Sequence, residues 1–183
     1  MEVDIAMEIN QDATRCGCQS DTISVNPMPP RTTAQVKHPS KGFFTIGYQS
    51  HSVESLIRSL NAHGVEILMD VRQNPVSRKA GFSKHRLQNA VVEAGIEYQH
   101  SPDLGTPPRI RKMYQNSGDL PAVLVAYEKH ISANPEPLKL LAHLAATRIV
   151  CLLCLEKDHN MCHRGVIARK LCEMTKWKPI HLA

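Results

Sequence analysis

The stretch from Arg148 to Cys172, RIVCLLCLEKDHNMCHRGVIARKLC, constrains this chain more than any other. Ile149 to Leu155 is a short, unbroken apolar run, the pattern of a strand covered on both faces, and such strands belong to parallel sheets with a helix layer on each side. Glu156 to Asn160 then reads as a loop, and Ile167, Leu171 and Met174 recur at spacings of four and three, which predicts a helix. A strand, a polar loop and a helix start in succession put Cys154, Glu156, Cys162, His163 and Arg164 where open α/β sheets bind their ligands. Helix N-termini there offer free N–H groups and the positive end of a dipole.

The rest of the chain repeats that alternation. Phe43 to Ile46 reads as a strand, followed by a helical face of Val53, Leu56, Ile57 and Leu60 with Ser52 as cap and Gly64 as stop. Val65 to Val71 is the next strand. Ser83 stands as cap to a face of Leu87, Ala90, Val91 and Ala94, and Ile96 to Gln99 follows as a third strand. Ser101 to Gly118 reads as a long irregular connection carrying Arg109, Arg111 and Lys112. Two helices come next, one capped by Asp119 with the face Leu120, Val123, Leu124, Tyr127 and Ile131, the other opening at Asn134-Pro135 with Leu138, Leu141, Ala142 and Ala145. Pro179 to Leu182 makes a fifth strand. The pattern predicts an α/β fold of Rossmann-like type, a three-layer sandwich around a mostly parallel sheet of about five strands.

Residues 1–41 lack either periodicity and are rich in Gln, Asp, Ser, Thr and Pro, so the expected division is a disordered N-terminal tail before a single α/β domain over 42–183. No run reaches the roughly 18 apolar residues of a membrane span, and the first residues lack the pattern of a secretory signal. The expectation is a cytoplasmic protein with no membrane partner. Six cysteines in a chain of 183 residues do not form a secreted disulfide framework, and Cys151 and Cys172 read as buried hydrophobes. The net charge of +5 suits an anionic ligand. With 4% aromatic residues the chain lacks the stacking platforms of single-strand nucleic-acid binders.

Four segments carry a resemblance: TIGYQSHS at Thr45 to Ser52, DVRQNPVSRKAGFSK at Asp70 to Lys84, GIEYQHSPDLG at Gly95 to Gly105, and LCLEKDHNMCHR at Leu153 to Arg164. In order and spacing they resemble the domain-of-unknown-function 488 family over about residues 43 to 182. The resemblance implies a Rossmann-like α/β fold in a bacterial or archaeal cytosol and implies no established reaction.

Read from the residues, Cys162 is the candidate nucleophile, since a helix N-terminus and neighbouring cations favour a thiolate. His163 is the candidate acid or base and Glu156 its orienting carboxylate. Arg164 and Arg72 are the expected anion contacts, and Asp70 is expected to point to the opposite face from Arg72. A structural alternative pairs Arg72 with Glu156. Tyr48, His51, Tyr98, His100 and Asp103 fall at or just after strand ends and are expected on the same rim, Tyr48 and His100 as binding residues. Cys154, His159, Cys162 and His163 form a zinc donor set by softness. Their spacing lacks a CxxC pair and adjacent Cys162 and His163 look strained as co-ligands, so neither metal nor organic cofactor is expected.

These residues together point to an enzyme that binds an anionic small molecule or nucleotide-like group at the strand ends, with thiol chemistry. Two alternatives stand beside it. One is a nucleic-acid or protein-binding module using the basic loops. The other is a rhodanese-like sulfurtransferase using Cys154, on the layout of a D-V-R strand end and a Cys-bearing strand before a helix.

Overall fold

The computed structural model describes residues 42–182, and the expectation of a disordered tail over residues 1–41 lies outside that range. Five strands, β1 (Gly42–Gly47), β2 (Ile67–Asp70), β3 (Glu97–His100), β4 (Val150–Cys154) and β5 (Lys178–Leu182), form one sheet in the order β3-β2-β4-β1-β5. Every pairing in it is parallel. Six helices join them: α1 (Val53–Ala62), α2 (Lys84–Glu93), α3 (Pro108–Ser117), α4 (Leu120–Ala133), α5 (Glu136–Thr147) and α6 (His163–Thr175).

The apolar run at Ile149 does what its pattern predicts. All five residues of β4 are buried, and their side chains alternate between two cores. Val150, Leu152 and Cys154 join residues of α3, α4, α5 and α6 on one face, while Cys151 and Leu153 join Leu56 and Leu60 of α1 and Leu87 and Val91 of α2 on the other. These are the three layers.

Strand order then locates the ligand end of the sheet. The connections leaving β1 and β2 run toward β3, whereas the connection leaving β4 passes β1 to reach β5 and lays α6 on the opposite face. The winding reverses at β4. Its carboxyl end, flanked by those of β1 and β2, is the crevice in which open parallel sheets bind ligands.

Local signals succeed or fail for identifiable reasons. The Ser52 and Asp119 side chains accept from Ser55 N and Ala122 N, as their cap positions require. Ser83 occupies its cap position without such a bond. The connection read as irregular from Ser101 to Gly118 instead holds a 3-10 turn at Pro102–Leu104 and the helix α3. Ile110 is its only buried residue, so the segment lacks the repeating apolar face that betrays a helix, although Pro108 and left-handed Gly118 mark its ends. Asn134 closes α4 through a bond from its Nδ2 to the His130 carbonyl, and α5 starts at Glu136 with Pro135 as its cap, one residue later than the Asn134-Pro135 signal predicts. Met174, placed on the inner face of α6, is exposed, while Val166 and Ala168 are buried with Ile167 and Leu171.

The two cap positions make a paired test. Asp119→Ala removes a cap bond and is expected to cost about 1 kcal/mol, whereas Ser83→Ala removes none and should stay within about 0.5 kcal/mol. Urea unfolding of both variants checks this, and equal losses would contradict the assignment.

Candidate active site at the end of the central strand

Three strand ends build the site. The loop after β1 and the loop after β4 are sewn together, with Gln49 N donating to the Leu155 carbonyl at 2.9 Å and Lys157 N donating to Gln49 Oε1 at 3.1 Å. Gly47 is required where they cross. A Cβ there would run into the Glu156 carbonyl and lie 2.8 Å from the Arg164 guanidinium.

The Asp70-Val71-Arg72 end of β2 makes a wall. Asp70 and Arg72, two residues apart, lie on the same side and pair with each other, which corrects the expectation of opposite faces and the alternative pairing of Arg72 with Glu156. The carboxylate accepts from Arg72 Nε at 2.8 Å and from Tyr98 Oη at 2.6 Å. Arg72 also donates to Tyr48 Oη at 3.1 Å and to the Phe82 carbonyl at 2.9 Å, and it lies over the Tyr48 ring, which stacks on Phe82. Burial works against the charge on Arg72, yet the Asp70 bonds hold its pKa above the usual value. Burial and the Asp70 charge likewise push the Tyr98 phenol up. His100 is also used here, donating from Nε2 to the Arg72 carbonyl at 2.8 Å and meeting Lys84 Nζ at Nδ1.

Facing this wall, β4 and α6 bring four chemically active groups together. Cys162 caps α6, accepting from Arg164 N at 3.4 Å, and His163 is the first helical residue. Nε2 of His163 donates to the Val71 carbonyl at 3.0 Å, which leaves Nδ1 facing both sulfurs, 3.7 Å from Cys154 and 3.8 Å from Cys162. Tyr127 of α4 packs its ring edge-on to the imidazole and donates its hydroxyl to the Leu104 carbonyl at 2.6 Å. Glu156 Oε2 stands 3.3 Å from Cys154 Sγ.

Protons distribute unevenly over this group. The hydrogen bond with Cys162 holds the Cys154 pKa well below the ordinary thiol range against the opposing effect of burial, and His163 adds to it. The same bond and burial push Cys162 well above that range. Burial opposes a charge on His163, but the Cys154 thiolate and the Val71 carbonyl carry its pKa up to about 9. Burial and the thiolate raise Glu156. These directions favour a thiolate on Cys154 over one on Cys162, the nucleophile expected from the sequence.

Arg164 is a second correction. Its side chain is 1% exposed and donates through its two terminal nitrogens to the carbonyls of Glu156 and Lys157, fastening the loop from beneath, while its Nε is buried without a partner. His51 is buried against Ser55 on α1, and Asp103 is exposed in the 3-10 turn. His159 stacks on His181, outside the sulfur cluster.

These walls enclose a cavity of about 490 Å³. Tyr48, Arg72, Cys154, Glu156, Cys162 and His163 line it, together with Gln73, Tyr114 and Tyr127, which carry no site signal in the sequence, and Arg111 of the basic connection. Arg111 was placed in an outlying loop. As part of α3 it reaches the rim instead.

Two measurements follow. Asp70→Asn leaves the buried Arg72 charge unpaired and is expected to cost about 3–5 kcal/mol in urea unfolding; a loss under 1 kcal/mol would show that the pair contributes little. In reduced, chelator-treated protein at pH 7, iodoacetamide is expected to modify Cys154 before Cys151 and Cys162. Peptide mapping showing Cys162 first would reverse the thiolate assignment.

A family model described as domain of unknown function DUF488 matches residues 52–171. No curated protein and no solved structure matches the chain.

Proposed function

Because this chain belongs to the DUF488 family, whose description assigns no activity, we propose its function from the site: an enzyme that takes an anionic small molecule or nucleotide-like group into the strand-end cavity and acts on it through the Cys154 and Cys162 sulfurs. The observation that carries this reading is the convergence of Cys154, Glu156, Cys162 and His163 on one cavity that two arginines also line. Its volume lies within the range of small-molecule sites, roughly 300–1,000 Å³.

Arg111 is the anion contact. Its side chain is exposed and makes no hydrogen bond or ion pair with the described residues, so its planar fork is free for phosphate or carboxylate. Arg72 shapes the wall, its N–H groups held by Asp70, Tyr48 and Phe82 and its charge balanced by the Asp70 carboxylate. Tyr48 and Tyr114 supply aromatic lining for the neutral part of a nucleotide-like ligand. The four described cysteines are free, which suits a reducing, cytoplasmic setting, and no described helix is long and apolar enough to cross a membrane.

Binding of inorganic phosphate and of a nucleoside monophosphate, followed calorimetrically, tests the reading. Arg111→Ala is expected to weaken binding roughly tenfold or more, since a hydrogen bond to a charged group is worth about 1.5–3 kcal/mol. Arg58→Ala, on the exposed side of α1, should leave binding unchanged. Equal losses in both variants, or tight salt-sensitive binding of a nucleic acid in place of the small anions, would favour the binding-module reading.

A further inference from the structure

We propose that Cys154, Cys162 and His163 hold one divalent cation of zinc-like softness, with its fourth position open to the cavity. The inference deepens the function proposed above and rests on it for the identity of the cavity as the reacting site. The ligand atoms of these three residues all lie within 4.8 Å of one another, and no other such group of His, Cys, Asp or Glu occurs among the described residues.

The separations are those of a coordination shell. Around a tetrahedral zinc, with bonds of about 2.3 Å to sulfur and about 2.0–2.1 Å to nitrogen, a sulfur and a nitrogen ligand stand about 3.6 Å apart. Nδ1 of His163 is 3.7 Å from one sulfur and 3.8 Å from the other. The imidazole is also turned as a ligand must be. Its Nε2 proton is committed to the Val71 carbonyl, so Nδ1 faces the sulfurs and supplies a lone pair once a cation displaces its proton, and a carbonyl placed behind the ring in this way orients metal-bound histidines.

Adjacent Cys162 and His163 can serve together because the backbone turns between them. Cys162 is extended at φ −143° and ψ 143°, and His163 is the first residue of α6. The strain expected of neighbouring ligands is therefore absent, and the unusual spacing follows from a strand-end cysteine meeting a helix-cap cysteine.

Three protein ligands and an open position make a catalytic type of site. Glu156 lies outside the three-donor group, on the same cavity lining. Its carboxylate takes a proton from water at the open position, and the resulting hydroxide oxygen forms a bond to the electrophilic atom of the cavity ligand. As the bond to the leaving group breaks, Glu156 returns the proton to it, so one water is added across one bond with no change in oxidation state. The sulfurs act by holding the cation.

The test uses the full chain carrying Cys16→Ser and Cys18→Ser, reduced, stripped with a chelator and titrated with cobalt(II). The expected result is one equivalent per chain, with thiolate charge-transfer absorption and the intense visible bands of tetrahedral cobalt, both abolished by stoichiometric zinc. Cys162→Ser and His163→Ala should lose these bands while circular dichroism shows the fold intact. Glu156→Gln should keep them. Absence of the bands, their full retention in Cys162→Ser and His163→Ala, or their loss in Glu156→Gln would each overturn the three-ligand site. Phosphate binding read on the same samples separates the two proposals: tetrahedral cobalt without anion binding would sink the proposed function and leave the cation site standing. A variant that fails to fold is replaced by alkylation of the unsubstituted chain, in which zinc should protect Cys154 and Cys162 at least tenfold; no protection would count against the site.

Discussion

The bond from His163 Nε2 to the Val71 carbonyl ties the first turn of α6 to the end of β2 across the face of β4. A carbonyl can only accept, so this one contact keeps a proton on Nε2 and turns Nδ1 toward the sulfurs. Rotate the ring and the cluster loses its nitrogen donor, while the Val71 carbonyl is left bare. Tyr127 guards against that rotation by packing on the ring edge, with its own hydroxyl anchored to the turn that precedes α3. The site therefore depends on elements far apart in sequence that are close only because the winding of the sheet reverses at β4.

The wall opposite is built on a different principle. Asp70, Arg72, Tyr48 and Tyr98 form a buried polar network in which each member satisfies another, and Phe82 closes it with a ring face and a carbonyl. Such networks rigidify what they surround, because loss of any member strands the others in a low-dielectric interior. The wall thus gives the cavity a fixed shape, whereas Arg111 and Tyr114 stand exposed on the α3 rim.

Much of this was legible before any coordinates. The apolar run of β4, the Ser52 and Asp119 caps and the alternation of strand and helix specify the layers, because burial on two faces and capping are local demands that leave marks on neighbouring residues. Grouping Cys154, Glu156, Cys162 and His163 followed from one loop between a strand and a helix. The division of labour among them did not, since it depends on which groups share a proton. Arg72 and Arg164 looked like ligand contacts because sequence reveals charge without revealing what already occupies it. Arg111 reads as part of an irregular basic loop for the converse reason: α3 buries a single residue, so nothing in its pattern announces a helix that carries an arginine to the rim.

The alternation in β4 also separates Cys151, the other thiol of that strand, from the cavity. Cys151 lies three residues before Cys154, so the pleat sends its sulfur to the other face, into the core shared with α1 and α2. Burial there pushes its ionisation far above that of a free thiol. The sheet acts as an insulator between them: an oxidant or electrophile entering the cavity meets two sulfurs, and the reserve thiol on the far side cannot be drawn into a mispaired bridge while the strand keeps its pleat.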